Sequence, residues 1–230
     1  MNMSLESRSA LKTAVTNAVQ KLKIDFPLQS RSEGAQPTLQ STYAAMLNHW
    51  ISDASSPTAT SATAPFIAEL DAMGVIVNDE SGIGCYPFNA AETEIHVCFA
   101  GKRVYAQCAI DALAIPRLVQ CDSCISAQCA ACGDHISCAV SANGSVENGN
   151  NGDDALRVTW AAIEFNETLS RTEKRISLNF VCARCAIALG TLTFSIPQAA
   201  AIGHIFFAFQ RHLLTLQAEA CPMGRRPNAD

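Results

Sequence analysis

The stretch EIHVCFAGKRVYAQCAIDALAIP, residues 94–116, decides the fold class. Its first six residues largely alternate polar and apolar side chains, which is typical of a β-strand with one buried face. Gly101 and the two basic residues after it predict a turn. The apolar run 104–115 then predicts a helix that ends near Pro116. Because this helix has almost no polar side chain, we expect it to be buried in a mixed core of helices and strands.

Short strands and one long helix are predicted after this stretch. Segments rich in β-branched and apolar residues predict strands at 136–140, 156–165, 175–181 and 192–194. An Asn/Gly-rich loop is predicted at 143–154. Ser195, followed three residues later by Gln198, fits a capping box that begins a helix with one apolar face reaching Leu216. These elements indicate a module built on antiparallel strands and helices.

The residues before the central stretch predict a helical module. Three segments have amphipathic helical spacing: 4–22, 43–51 and 65–74. The β-branched residues 75–77 and the turn 78–82 predict a hairpin after the third helix. Helices followed by a hairpin suggest a winged helix. The sequence therefore predicts an α+β protein with a winged-helix-like module at 1–82 and a mixed antiparallel-sheet and helix catalytic module at 83–230.

Composition excludes several classes of protein. The chain has 230 residues, of which 49% are hydrophobic and 16% are charged, so it is globular rather than disordered. No apolar run reaches the roughly 18 residues of a membrane span, and residues 1–23 have no signal-peptide core, so we expect a cytoplasmic protein without membrane contact. Residues 1–100 hold 5 basic and 10 acidic side chains, which argues against binding to nucleic acid.

The eleven cysteines are expected to be reduced thiols or metal ligands, because cytoplasmic thiols are kept reduced. Three pairs have the Cys-x-x-Cys spacing that lets two thiolates bind one tetrahedral ion: Cys121/Cys124, Cys129/Cys132 and Cys182/Cys185. Only four residues separate the first two pairs, which is short for a zinc ribbon. Cys129, Cys132, Cys182 and Cys185 are therefore the candidates for a structural zinc site. The alternative is a set of thiols without a ligand.

Cys108 and Asp111 are a second candidate site. They lie three residues apart on the predicted buried helix, so a thiol and a carboxyl group share one face. A carboxyl group in dry, apolar surroundings keeps its proton more readily than one in water and can act as an acid. The alternative is that Cys108 is a small core residue and Asp111 binds a backbone amide. Cys182 follows a strand and precedes a short helix, whose amino terminus favours a thiolate.

Four segments resemble the alkylmercury (organomercurial) lyase family, in the family's order. They are YAQCAIDAL (105–113), SAQCAACGDHIS (126–137), FVC (180–182) and GHIFFAFQRHLL (203–214). The first is the most specific, and it places the family's first mercury-binding cysteine on Cys108 and its catalytic aspartate on Asp111. The resemblance implies Cys182 as the second catalytic cysteine, one position later than in the family, with Cys185 as the other candidate. It implies a structural role for Cys129.

The resemblance implies an enzyme that cleaves the carbon–mercury bond of alkyl- and arylmercury compounds by protonolysis. Mercury is soft and prefers thiolates, so it would bind Cys108 and then Cys182 while Asp111 protonates the carbon. No cofactor is required, and the product Hg(II) would pass to cellular thiols or to mercuric reductase. The alternative hypothesis is a non-catalytic zinc-binding or thiol-rich metal-sequestering module on the same fold.

Overall fold

The computed structural model describes residues 5–147, 156–160, 178–189 and 193–220, and its first part is helical. Four helices come first: α1 (Leu5–Asp25), α2 (Leu28–Glu33), α3 (Pro37–Asp53) and α4 (Ala64–Ala72). A hairpin of β1 (Ile76–Asp79) and β2 (Gly82–Cys85) follows them, as predicted. The stretch 29–37 contains most of α2, which the sequence did not predict, and α3 begins six residues before the predicted 43.

An antiparallel sheet of five strands forms the middle of the chain, in the order β4-β3-β5-β6-β7. The strands are β3 (His96–Phe99), β4 (Lys102–Tyr105), β5 (Ser123–Gln128), β6 (His135–Val140) and β7 (Val146–Glu147). Val97, Ile125 and Cys138 lie side by side on its buried face. The predicted antiparallel strands are thus confirmed. The sequence did not predict β5, and β7 occupies part of the predicted loop 143–154, of which 148–154 lie outside the described residues.

A second antiparallel sheet has the order β10-β8-β9 and joins distant parts of the chain. Its strands are β8 (Leu156–Thr159), β9 (Phe180–Cys182) and β10 (Thr193–Ser195). They fall within or beside the predicted strands 156–165, 175–181 and 192–194. Residues 161–165, 175–177 and 192 of those predictions lie outside the described part of the chain. Directly after β9 comes the short helix α6 (Ala183–Leu189).

The buried helix α5 (Ala109–Val119) begins later and ends later than predicted. Residues 104 and 105 pair with β3 as the end of β4 instead of forming helix. The Ala109 N–H donates to the Leu178 carbonyl at 2.8 Å, where the helix starts. The predicted end at Pro116 is wrong. Proline removes a single N–H from the helix, and burial of Leu118 keeps the last turn in place.

Two helices occupy the place of the single predicted C-terminal helix: α7 (Ile196–Phe206) and α8 (Ala208–Ala220). The predicted capping box is confirmed, because both of its hydrogen bonds, between Ser195 and Gln198, are present. Phe207 separates the two helices. Phe206 and Phe207 are both buried, with rings edge to face at 5.0 Å.

The N-terminal helices pack on the C-terminal ones, with α1 against α7 and α3 against α8. Helix α7 also packs on α5, and Gly203 permits this approach, since a Cβ there would lie 2.8 Å from the Ile110 carbonyl oxygen. The mixed α+β class is therefore confirmed. Within the described ranges, no helix combines the length and apolar character needed to cross a bilayer.

Candidate functional site

Cys108 is the N-cap residue of α5 and does not lie on the helix as we predicted. Its backbone is extended, with φ −149° and ψ 170°, and its sulfur accepts a hydrogen bond from the Asp111 N–H at 3.5 Å. The Cys108 sulfur therefore caps the amino terminus of α5. Because the N–H groups of a helix amino terminus carry partial positive charge, the Cys108 sulfur lies in the positive field of α5.

Asp111 lies in the first turn of α5, in apolar surroundings. Cys108 and Asp111 are each only 1% exposed, and every residue from 108 to 116 is buried. The structure thus places this thiol at the start of the helix and this carboxyl group in its first turn, both buried in apolar surroundings. The arrangement can hold a soft metal on sulfur beside an acid group.

Four further cysteines form a compact sulfur cluster: Cys129, Cys132, Cys182 and Cys185. Their Sγ atoms all lie within 4.8 Å of one another, and the Cys132 and Cys182 sulfurs are 3.9 Å apart. Cys129 is buried, Cys132 is exposed, and the other two are half-buried. These are the four residues named as candidates for a structural zinc site, so the structure brings together two pairs that are far apart in the sequence.

Two tight chain segments position the cluster. The first is the turn between β5 and β6, where the Cys129 N–H donates to the Asp134 carbonyl at 2.8 Å and Gly133 adopts φ +75°, a left-handed conformation that suits glycine. The second is the junction where β9 ends at Cys182 and α6 begins. The Ala130 N–H donates to the Phe180 carbonyl at 3.0 Å, which holds the two segments side by side.

Backbone N–H groups and neighbouring thiols shift the pKa values of the cluster in opposite directions. Burial opposes ionisation of the Cys129 thiol, but hydrogen bonds from the N–H groups of Cys182, Ala131 and Cys132 outweigh it and lower its pKa to about 6. The adjacent Cys182 and Cys132 sulfurs raise the pKa of Cys185 to about 12. The N–H groups thus favour a thiolate at Cys129, and the neighbouring sulfurs disfavour one at Cys185.

The structure does not place Cys108 or Asp111 in the sulfur cluster, as judged over the described residues. The two sites are linked through β9, since Leu178, whose carbonyl binds the first N–H of α5, lies four residues before Cys182. An extended chain of four residues spans about 13 Å. The approach of Cys182 or Cys185 to Cys108, which the proposed chemistry needs, stays a prediction.

The Cys121/Cys124 pair lies outside the cluster. Cys124 stands on β5 directly opposite Cys98 on β3, whereas Cys121 precedes the strand. The sequence did not predict this pairing of Cys98 with Cys124, because β5 was not predicted. The alternation of apolar Ile125 and Ala127 with polar Ser126 and Gln128 was the available signal.

Comparison with known proteins finds a family that matches part of the chain. The family described as MerB: Alkylmercury lyase matches residues 88–172, a range that includes Cys108, Asp111, Cys129 and Cys132 and ends before Cys182. The chain is similar to the crystal structure of the mercury-bound form of MerB2, with a TM-score of 0.60 and 15% identity over 86% of this chain and 99% of that chain. At this identity the likeness shows a shared fold. No curated protein matches. The predicted resemblance is thus confirmed, and over residues 88–172 the chain matches the alkylmercury lyase family.

Proposed function

We propose that this protein is an alkylmercury lyase that converts alkyl- and arylmercury compounds to a hydrocarbon and Hg(II). The observation that carries the proposal is the buried pair of Cys108, which caps α5, and Asp111 in the first turn of the same helix. Both residues fall within the range that matches the family. No cofactor is required for this chemistry, because mercury itself is part of the substrate.

The reaction follows from the softness of mercury and the position of the acid. The Cys108 thiolate displaces the ligand X from R–Hg–X and forms a sulfur–mercury bond. A second thiolate then adds to the metal and makes the attached carbon more basic. Protonated Asp111 transfers its proton to that carbon, the carbon–mercury bond breaks, and R–H leaves. Hg(II) remains on the two sulfurs, and the Asp111 carboxylate regains a proton from water.

We assign the second thiolate to Cys182, with Cys185 as the other candidate. Cys182 ends β9 directly before α6, so it also lies at a helix amino terminus, although a short one. It is half-buried and therefore reachable from solvent. Small thiols or mercuric reductase would take the Hg(II) product by thiol exchange.

The two predicted modules have separate roles in this proposal. We propose that residues 1–82 are a winged-helix-like module that covers the C-terminal helices rather than binding nucleic acid, as the acidic excess of residues 1–100 favours. Residues 83–230 would then be the catalytic module. The reduced thiols that the reaction needs are in keeping with a cytoplasmic location.

The alternative function is a non-catalytic zinc-binding or metal-sequestering module, and the four-sulfur cluster is the observation that favours it. The two functions differ in a simple measurement. A lyase releases benzene from phenylmercury in the presence of excess thiol, with repeated turnovers. A sequestering module retains mercury in proportion to its thiols and releases no hydrocarbon.

The test is gas-phase detection of benzene or methane from the corresponding mercurial, with excess free thiol present. We expect turnover by the unchanged protein and by Cys121→Ser, which removes a cysteine outside both candidate sites. Asp111→Ala should reduce hydrocarbon release by about two orders of magnitude or more, the range that a general acid contributes. Full turnover by Asp111→Ala would contradict the proposed role of this residue.

A further inference from the structure

We propose that Cys129, Cys132, Cys182 and Cys185 bind one zinc ion, which fastens the β5–β6 turn to the β9–α6 junction. The zinc site goes beyond the proposed lyase function, because neither Cys108 nor Asp111 belongs to the sulfur cluster among the described residues. The geometry of the sulfurs, the type of donor atom and the backbone that supports them all favour zinc.

The distances between the sulfurs fit a single tetrahedral ion. A zinc–sulfur bond of about 2.3 Å places two sulfurs of a tetrahedral site about 3.8 Å apart. The Cys132 and Cys182 sulfurs are 3.9 Å apart, and no pair in the cluster exceeds 4.8 Å. A small contraction of the wider pairs would close the site around zinc. The four sulfurs are too close together to enclose an iron–sulfur cluster of several metal atoms.

The donor atoms select zinc among the common divalent ions. The cluster offers four thiol groups, and no carboxylate or imidazole of the described residues belongs to it. Magnesium and calcium take oxygen ligands, whereas a tetrahedral set of four thiolates is a typical structural zinc site. Each Cys-x-x-Cys pair supplies two ligands, which is also usual for such sites.

The backbone holds these sulfurs in place without the metal. On the first segment, the Gly133 N–H donates to the Cys129 carbonyl at 2.8 Å and closes the turn. Across the segments, the Cys182 N–H donates to the Cys129 sulfur at 3.4 Å. A site with this much prior organisation loses little conformational entropy when the ion binds. The exposed side of the cluster, at Cys132, gives the ion a path from solvent.

Cys182 is common to the zinc site and to the proposed reaction. Thiolates on zinc remain exchangeable, and mercury is the softer metal, so an organomercurial can take Cys182 from the ion. The zinc site must therefore be tested by measurements that do not use turnover. Asp111→Ala serves this purpose, because it should lack hydrocarbon release and still contain zinc.

The experiment is metal analysis of the full chain, purified without chelators from cells grown with added zinc. We expect one zinc per chain in the unchanged protein, in Asp111→Ala and in the control Cys121→Ser. Cys132→Ser should lower the zinc content at least tenfold, because it removes one ligand from the cluster. As a second readout, Co(II) added to the reduced, metal-free protein should give the absorption of tetrahedral cobalt with thiolate ligands.

Three results would overturn the zinc site. The first is unchanged protein that contains no zinc and gives no thiolate–cobalt absorption. The second is Cys132→Ser with the same zinc content as Cys121→Ser. The third is iron in place of zinc. If Cys132→Ser does not fold, the cobalt spectrum of the unchanged protein decides alone. Absence of hydrocarbon release by the unchanged protein, together with one zinc per chain, would contradict the lyase proposal and leave the zinc site supported.

Discussion

At the scale of single residues, Cys108 has two separable roles, as a helix cap and as a proposed ligand of mercury. Ser is among the best N-cap residues, so Cys108→Ser should keep the cap of α5 and change the free energy of unfolding by less than about 1 kcal/mol. A hydroxyl group is a poor ligand for mercury, so hydrocarbon release should be lost. Thermal unfolding and gas-phase product detection on the same sample check both parts. Full turnover by Cys108→Ser would contradict the role of its thiol.

Separate replacement of Cys182 and Cys185 decides which of them is the second thiolate. Both substitutions should lower the zinc content, since both residues belong to the sulfur cluster. Only loss of the second mercury ligand should abolish carbon–mercury cleavage, and we expect this of Cys182→Ser. Single-turnover release of benzene with a limiting amount of phenylmercury measures the step directly. Loss of cleavage in Cys185→Ser alone would move the assignment to Cys185.

His204 on α7 should make the protein sensitive to acid. Burial, followed by the positive charges of Arg211 and Arg117, lowers the pKa of this side chain to about 4, from an ordinary value near 6.5. As the pH falls from 6.5 towards 4, the unfolded chain binds a proton at this position and the folded chain does not, so folding loses stability.

We therefore expect the melting temperature to fall over this pH range less steeply in His204→Gln than in the unchanged protein. His212→Gln changes an exposed histidine on α8 and is the matched control. Melting curves between pH 7 and pH 4 make the comparison. Parallel pH profiles for the unchanged protein and His204→Gln would show that His204 does not carry the effect.

At the scale of elements, the sequence predicted the features that depend on neighbouring residues. It missed the features that depend on pairing between strands distant in the chain. The capping box at Ser195 and the hairpin before Cys85 depend on neighbouring residues, and both were confirmed. Strand β5 has small and polar residues around one strongly apolar residue, Ile125, and its pairing with β3 and β6 makes it a strand. The start of α5 was predicted too early, since an apolar run does not distinguish the end of β4 from the beginning of a buried helix.

The contact between α5 and α7 depends on Gly203. Adding a methyl group there would place its carbon 2.8 Å from the Ile110 carbonyl oxygen and 3.3 Å from the Ala114 side chain. Ile110 lies between Cys108 and Asp111, so the two helices would move apart at the candidate site. Gly203→Ala should destabilise the fold by about 1–3 kcal/mol, as overpacking does. It should also slow hydrocarbon release by roughly tenfold through misplacement of the reacting groups.

Ala201→Ser on the exposed side of the same helix is the control for Gly203→Ala. Chemical denaturation and product release measured on both variants separate a packing effect from a general effect of changing α7. Equal stability and activity in the two variants would mean that the helices can accommodate the methyl group.

At the scale of the whole molecule, the composition of the sulfur cluster was predictable, but the relation between the two candidate sites was not. Repeated Cys-x-x-Cys spacing identified all four cluster cysteines, because the spacing itself is a property of ligands that share an ion. The positions of Cys108 and Cys182 depend instead on how β9 pairs with β8 and where Leu178 meets α5. No local pattern contains that information. For the same reason, the boundary predicted at 82/83 does not determine whether residues 1–82 and residues 83–230 fold separately.

We expect the chain to unfold in one transition, because its N-terminal and C-terminal helices share a core. Tyr43 and Gln210 are both buried, and the Gln210 side-chain amide donates to the Tyr43 hydroxyl at 3.2 Å across the contact of α3 with α8. The two tryptophans report on the two parts: Trp50 stacks on Phe88 near the hairpin, and Trp160 packs edge to face on Phe194 in the second sheet. Fluorescence of Trp50→Phe and Trp160→Phe variants follows each part alone.

Coincident denaturation midpoints in these two variants, after correction for the small effect of each substitution, would establish a single cooperative unit. Adding Tyr43→Phe should then lower both midpoints together. It removes the hydroxyl that accepts the buried Gln210 amide, which costs about 1–3 kcal/mol. Because α1 and α3 cover apolar faces of α7 and α8, neither part can lose its partner without exposing core residues. Midpoints that separate, with Tyr43→Phe shifting only the Trp50 signal, would instead mean that residues 1–82 fold as an independent domain.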